Sequence, residues 1–202
     1  RVEIVADGSS ALYGSDAVGG VANILLRRDY DGLLTTARFG AATDGGDVQQ
    51  QYSAVTGRRW ESGGFMIAGD FSKATDITAS QRSYMRSRQS SNTLLPSQRE
   101  VSAVLAGHQS LADIIEFEID AHYNRHKSVA ALPFTNTGDV RQSGIISRPD
   151  IESYSISPSV KFRLPAGWEV TARATRAISD SKIIAEIYSG GTASAVNHVR
   201  YK

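Results

Sequence analysis

The stretch IEFEIDAHYN, residues Ile115 to Asn124, alternates apolar and polar side chains without a break. Its odd-numbered positions are apolar, and its even-numbered positions include Glu116, Glu118, Asp120 and His122. Successive side chains of an extended strand point to opposite faces, so a period of two separates these groups onto two sides. The segment is therefore predicted to be a β-strand with one apolar and one polar face.

Several other stretches repeat this alternation. Residues 153–164 place Lys161 and Arg163 on a polar side rich in serine, and Trp168 to Thr175 places Arg173 on its polar side. Weaker versions cover Leu33 to Thr43, Val48 to Gly57, Gly64 to Ala74 and Glu100 to Leu111, and a further strand is expected near Ala195. These segments share a pattern and not a motif, so an all-β fold without a propeller or solenoid repeat is expected.

The connections between the predicted strands differ in length. In chain order they are short at 44–47 and 58–63, long at 76–99, tight at 111–113, long at 131–152, tight at 165–167, and long again after Ile178. Tight turns at one end of a sheet and long loops at the other are typical of outer-membrane barrels, and about ten tilted residues span a bilayer. A soluble β-sandwich with one solvated face gives the same alternation, so the strand pattern alone leaves both architectures open.

Two details favour the barrel. The polar faces carry several charges per strand, and no second apolar layer is evident to pack against. Large aromatic side chains lie near segment ends, where the aromatic girdles of a membrane barrel are found; they are Phe71, Tyr123, Tyr154, Phe162 and Trp168.

Composition excludes several functions. The chain has 202 residues, 18 glycines, no cysteine and a formal net charge of +1, which disfavours a thiol nucleophile, a zinc cluster and a nucleic-acid partner. It has no G-x-S-x-G elbow, and His122 and His126 would lie about 13 Å apart on a strand, too far for one metal. The carboxylates of Glu116, Glu118 and Asp120 have a spacing compatible with glycoside hydrolysis, but no cleft accompanies them. We expect no enzymatic activity, cofactor or metal site.

The N-terminal region reads differently from the strands. The apolar runs of the whole chain are too short for a transmembrane helix, and the first residues, RVEIVADG, have no signal-peptide pattern. The chain is therefore expected to be soluble or an internal piece of something longer. Residues 1–6 and 21–26 alternate as short strands, and a serine- and glycine-rich turn separates them. This turn lacks the lysine and the G-x-G-x-x-G spacing of phosphate-binding loops.

The stretch VEIVADGSSALYGSDAVGGVANILLRRDYDG, Val2 to Gly32, resembles the last part of the plug domain of TonB-dependent outer-membrane receptors. In that family a V-E-V strand, an S-A-L-Y-G-S turn and a G-G-V-I-N-I strand precede the first barrel strand. The matching positions, for which a structural role is expected, are Ser10, Leu12, Tyr13, Gly14, Gly19, Gly20 and Asn23. One departure is Asp7, which stands where many members carry a basic residue, so ion pairs between plug and wall are expected to be arranged differently.

The resemblance implies that the chain is a fragment. Residues 1–32 would be the C-terminal part of an α/β plug, and residues 33–202 the first strands of a transmembrane, antiparallel, up-and-down barrel of 22 strands. The seven polar-face residues would line the lumen; they are Glu116, Glu118, Asp120, His122, Lys161, Arg163 and Arg173.

The resemblance also implies a function and partners. The whole protein would take up a scarce ligand, such as siderophore-iron, cobalamin or an oligosaccharide, across the outer membrane of a Gram-negative bacterium. The TonB complex, outer-membrane lipid and lipopolysaccharide would be partners. Candidate contacts to an anionic ligand lie in the first long loop at Arg82, Tyr84, Arg86 and Arg88, although arginines facing lipopolysaccharide phosphates would look the same. The alternative is a soluble or surface-displayed β-rich binding domain with no transport role.

Overall fold

A computed structural model of the chain describes residues 2–6, 19–24, 27–85, 91–112, 114–135 and 139–201. These residues form one large antiparallel sheet of nine strands and two small sheets of two strands each. In chain order the strands are β1 (Val2–Val5), β2 (Val21–Ile24), β3 (Gly32–Gly40), β4 (Gln49–Trp60), β5 (Gly63–Ala74), β6 (Ile77–Thr78), β7 (Thr93–Leu95), β8 (Ser97–Leu111), β9 (Ile115–Pro133), β10 (Ser143–Arg163), β11 (Glu169–Arg173), β12 (Arg176–Ser189) and β13 (Thr192–Tyr201). The predicted all-β antiparallel fold is confirmed. No helix in the described part of the chain is long and apolar enough to cross a membrane.

The two N-terminal strands pair with each other. Strand β1 runs antiparallel to β2, with Val2 opposite Ile24 and Val5 opposite Val21. The two short strands predicted here are therefore confirmed, and Asn23 lies in β2 opposite Glu3. The turn between them, with Ser10, Leu12, Tyr13 and Gly14, lies outside the described residues.

The large sheet follows the order of the chain. Its order is β3-β4-β5-β8-β9-β10-β12-β13, and β11 also pairs with β10. Strand β10 pairs with β11 through Ser159–Arg163 and with β12 through Ser143–Ile156. Both partners lie on the same side of β10, so β11 and β12 together occupy one strand position of the sheet, which is interrupted at residues 174–175. The sheet is up-and-down, and it is open, with β3 and β13 as its two edges.

The connections at the two ends of the sheet differ in length, and those from 75 to 168 alternate between long and short as the sequence predicts. The connections at 61–62, 112–114 and 164–168 are short in sequence and lie at one end, which we call the turn end. The connections at the other end, the loop end, are 41–48, 75–96, 134–142 and 190–191. The long connection before β8 contains the small β6–β7 sheet.

Two predicted loops are corrected by the structure. The connection predicted at 131–152 is confined to 134–142, because β9 continues to Pro133 and β10 begins at Ser143. The chain after Ile178 is not a long loop, since β12 continues to Ser189 and a tight turn at Gly190 and Gly191, both with positive φ, leads into β13. The strand predicted near Ala195 is confirmed as part of β13.

The sheet is a single layer. Phe117 lies opposite Val160 and Glu118 opposite Ser159, so the register sorts apolar and polar side chains onto two faces, which we call the apolar and polar faces. The accessible surface is 13477 Å² for 21.7 kDa, whereas a compact monomer of that mass exposes about 9,200 Å². Among the described residues no large side chain is fully buried, and the buried apolar ones are Ala79, Ala106, Val140 and Ile146. The second apolar layer of a β-sandwich is not seen in this part of the chain.

Candidate functional site

The segment directly before β3, residues 27–31, lies against the polar face near the turn end. We call it the crossing segment. A Cβ added to Gly57 on β4 would lie 2.8 Å from the carbonyl oxygen of Tyr30, and one added to Gly64 on β5 would lie 2.7 Å from Asp29 Oδ1. Glycine at these two positions leaves the room that the crossing segment occupies.

Arg28 ties the crossing segment to β9. Its guanidinium donates to Glu118 Oε1 at 2.8 Å and to both carboxylate oxygens of Asp120, at 2.7 and 3.3 Å. The three side chains are 28%, 13% and 27% exposed, so water competes only partly for these bonds. Hydrogen bonding to Asp120 raises the pKa of Arg28 above its ordinary value, against the opposing effect of burial. The guanidinium is therefore held as a cation between two carboxylates.

Neighbouring groups extend this arrangement across the sheet. Glu118 Oε2 accepts a hydrogen bond from the hydroxyl of Ser159 at 3.0 Å, and Ser159 is buried. His108 Nε2 lies 2.7 Å from Asp29 Oδ1, while its buried Nδ1 has no hydrogen-bond partner among the described residues and lies 3.9 Å from Glu116. We call the following set the wall cluster: Arg28, Asp29, His108, Glu116, Glu118, Asp120, Ser159 and Arg163.

All seven residues predicted for the polar face lie on one face of the sheet. The register places them there across β9, β10 and β11. Arg163 donates to Glu116 at 2.9 Å, Lys161 lies 3.7 Å from Glu169, and Arg173 lies 3.9 Å from Glu118. His122 is exposed further along β9, and no three metal-ligating side chains cluster in the residues that the structure describes.

The acidic trio on β9 is occupied by basic partners. Glu116 pairs with Arg163, whereas Glu118 and Asp120 share Arg28. These paired carboxylates form an anchor of salt bridges. They do not form a pair of free carboxylates on either side of a cleft.

Two of the four candidate ligand contacts near the loop end, Arg82 and Tyr84, lie among the described residues. Arg82 Nη1 donates to the backbone carbonyls of Asp44, Gly45 and Gln81, at 3.2, 2.9 and 3.0 Å, so its guanidinium ties two loops together. Tyr84 is 76% exposed and free to meet a ligand. Arg86 and Arg88 lie outside the described residues.

The apolar face carries an aromatic band. Tyr52, Phe71, Tyr123 and Tyr154 each lie nine or ten residues along their strand from the turn end. The rings of Tyr52 and Phe71 stack with centroids 6.3 Å apart. Between this band and the turns the face is apolar and uncovered, since Ile67, Phe117, Ile156 and Val170 are 46%, 43%, 41% and 47% exposed.

Four residues of the wall cluster were not predicted as site residues from the sequence: Arg28, Asp29, His108 and Ser159. The one local signal is the pair Arg27 and Arg28 directly after an apolar run of the sequence, but a single sequence gives no indication of a partner about ninety residues away. No protein-family model matches the chain. The chemistry of the site and the resemblance carried by Val2 to Gly32 are therefore the grounds for a function.

Proposed function

We propose that the chain is part of a TonB-dependent receptor of the Gram-negative outer membrane. In this proposal residues 33–202 form a section of a transmembrane β-barrel wall, and residues 1–32 end a plug domain inside it. The observation that carries the proposal is a single-layer sheet whose apolar face is uncovered and whose polar face holds the chain's own crossing segment through Arg28. A water-soluble domain would cover the apolar face instead.

The dimensions of the apolar face support the proposal. Nine residues rising about 3.3 Å each give roughly 30 Å along a strand, and a tilt of about 40° reduces this to roughly 23 Å. The apolar band of outer-membrane barrels is about 25 Å tall. The aromatic band of Tyr52, Phe71, Tyr123 and Tyr154 would then lie at one membrane interface, and Trp60 and Trp168 near the other.

The two open edges fit a section of a larger barrel. Unpaired backbone groups along β3 and β13 would each cost several kcal/mol in hydrocarbon, where no water can replace the missing partner. Further strands of the full-length protein would pair with these edges and close the wall.

The proposed mechanism assigns separate tasks to the loop end and to the polar face. A scarce ligand, of the siderophore-iron, cobalamin or oligosaccharide type, binds at the loop end, and energy transmitted by TonB rearranges the plug so that the ligand passes. The salt bridges of Arg28 with Glu118 and Asp120 hold the last residues of the plug on the wall. This anchor keeps the plug attached while its earlier part moves.

A pair of substitutions on one strand tests the membrane placement. We expect Ile119→Arg on the apolar face to abolish or strongly reduce assembly of the full-length protein into outer membranes, at a cost of about 2–4 kcal/mol near the midplane. The matched control is His122→Arg, which puts the same side chain on the polar face of β9. Equal tolerance of both variants in the membrane fraction would contradict the proposal and favour the soluble binding domain.

Transport is tested separately. Cells that lack the full-length protein should lose uptake of one ligand from a panel of ferric siderophores, cobalamin and oligosaccharides, and should regain it on complementation. Normal uptake of every ligand in the panel would count against the receptor assignment.

A further inference from the structure

His108 lies between two carboxylates that come from different parts of the chain. Its Nε2 atom lies 2.7 Å from Asp29 Oδ1 in the crossing segment, and its Nδ1 atom lies 3.9 Å from Glu116 Oε1 on β9. The Nδ1 atom is buried and has no hydrogen-bond partner among the residues that the structure describes. Buried polar groups are nearly always hydrogen-bonded, so this nitrogen requires an explanation.

The protonation state of His108 decides how many of these contacts are hydrogen bonds. A neutral imidazole that donates from Nε2 to Asp29 turns the lone pair of Nδ1 towards Glu116, whereas an imidazolium donates from both nitrogens. Glu116 can accept the second bond, because Arg163 occupies its other oxygen, Oε2, at 2.9 Å. The contact of 3.9 Å has to shorten for that bond to form. Protonation therefore replaces an unpaired contact by a charge-assisted hydrogen bond.

The wall cluster has fewer cations than carboxylates. Its charged members other than His108 are Arg28, Arg163, Asp29, Glu116, Glu118 and Asp120. These two guanidiniums and four carboxylates leave a net charge of −2 while His108 is neutral. An imidazolium at this position halves that excess of negative charge.

The strands on either side of His108 do not supply another cation. The register places Glu118 of β9 directly opposite His108, and on the other side it places Gly64 of β5, which carries no charge. The remaining cations of this part of the polar face lie at least two strands away from β8; they are Arg59 on β4, Lys161 on β10 and Arg173 on β11. Lys161 and Arg173 lie 3.7 and 3.9 Å from carboxylates of their own, those of Glu169 and Glu118.

We propose that His108 is a proton-dependent latch that holds the crossing segment on the polar face. Protonated His108 bonds to Asp29 and Glu116 at once, which adds a second link between the segment and β9 to that of Arg28. The proton comes from the solvent, since the His108 side chain is 22% exposed. Histidines ordinarily change charge between pH 5 and 8 and carboxylates near pH 4, so the segment is held more firmly at pH 5.5 than at pH 8. The latch goes beyond the proposed function and does not depend on a membrane location.

Amide hydrogen exchange of the full-length protein in detergent tests the latch. Protection factors of residues 27–31 are measured at pH 5.5 and pH 8, each normalised to the intrinsic exchange rate at that pH. We expect protection in the wild type to be about three to ten times greater at pH 5.5, as one added charge-assisted hydrogen bond implies. In His108→Gln, whose amide can still donate to Asp29 but cannot gain a proton, the ratio should be close to one. Glu116→Gln removes the charge that Nδ1 faces and should reduce the ratio by at least half.

The matched control removes a different histidine from the same face. His122 is exposed further along β9, so His122→Gln should keep the ratio of the wild type. Each ratio compares one variant with itself at two pH values, so a substitution that loosens the segment at both pH values still gives a clear result. A wild-type ratio close to one, an unchanged ratio in His108→Gln, or an equal loss in His122→Gln would overturn the latch. A change of the same size at the central amides of β9 would also overturn it, since the effect of pH would then be global.

Discussion

Arg28 joins two parts of the molecule that lie about ninety residues apart in the chain. Replacing it by glutamine removes the charge and leaves Glu118, which is 13% exposed, beside Asp120 without a cation between them. We expect the crossing segment to detach more often, at a cost of about 1.5–3 kcal/mol for lost charge-assisted hydrogen bonds. Amide hydrogen exchange at residues 27–31 should become roughly ten to a hundred times faster.

Two further variants define what Arg28 contributes. Arg27→Gln removes an exposed neighbouring cation and should leave the exchange of the crossing segment unchanged. Arg28→Lys keeps the charge but loses the planar fork that reaches both carboxylates, so an intermediate effect is expected. If Arg27→Gln accelerates exchange as much as Arg28→Gln, general electrostatic attraction and not this geometry holds the segment.

Gly20 provides a second test at a single residue. Its φ is +113°, and an added Cβ would lie 2.7 Å from the carbonyl oxygen of Val5, so Gly20→Ala should weaken the pairing of β1 with β2 by about 1–3 kcal/mol. The neighbouring substitution Gly19→Ala is the control, because nothing lies within 4 Å of a Cβ there. Amide exchange across Val2–Val5 measures the difference, and similar rates in both variants would contradict the conformational role of Gly20.

At the scale of single elements, the sequence predicts the middle of each strand well and its loop end poorly. Strict alternation identifies Ile115 to Asn124 because each face has one kind of environment there. Beyond Tyr123 the apolar face carries Arg125 and Lys127, so the alternation ceases although the hydrogen-bond ladder with β10 continues. Backbone pairing does not require an apolar face, which is why β9 and β10 are longer than their patterns indicate.

The turn into β13 and the wall cluster were not predicted from the sequence, for two different reasons. The Gly190-Gly191 pair carried a usable signal, since adjacent glycines with positive φ are typical of tight hairpins. The contact of Arg28 with Glu118 carried none, because alternation assigns Glu118 to a face but does not indicate which segment covers that face.

The loop that contains Arg82 provides a test at the scale of an element. Because Arg82 donates to the carbonyls of Asp44 and Gly45, Arg82→Ala should free the 41–48 connection and accelerate amide exchange there. Tyr84→Ala is the matched control, since this 76% exposed side chain makes no such bond. Unchanged exchange in Arg82→Ala would show that the two loops are held together by other contacts.

At the scale of the whole molecule, the excess of accessible surface and the two open edges have the same cause. A single-layer sheet covers neither its apolar face nor the backbone groups of β3 and β13, so it cannot bury the area that stabilises a compact domain. The polar face is covered in part by the crossing segment. In the proposed barrel wall, lipid and further strands would contact these uncovered surfaces.

The uncovered apolar face predicts how residues 1–202 behave when they are expressed alone. In aqueous buffer the exposed side chains of the apolar face, such as Ile67 and Phe117, should drive aggregation, and micelle-forming detergent should reduce it because its apolar chains cover that face. Sedimentation velocity in parallel samples with and without detergent measures the difference. A monodisperse monomer in buffer, with the amides of β8, β9 and β10 strongly protected from exchange, would require a cover over the apolar face and would favour a soluble binding domain. Aggregation in buffer that detergent relieves would place the stabilising partner of this face outside the chain, as a membrane wall requires.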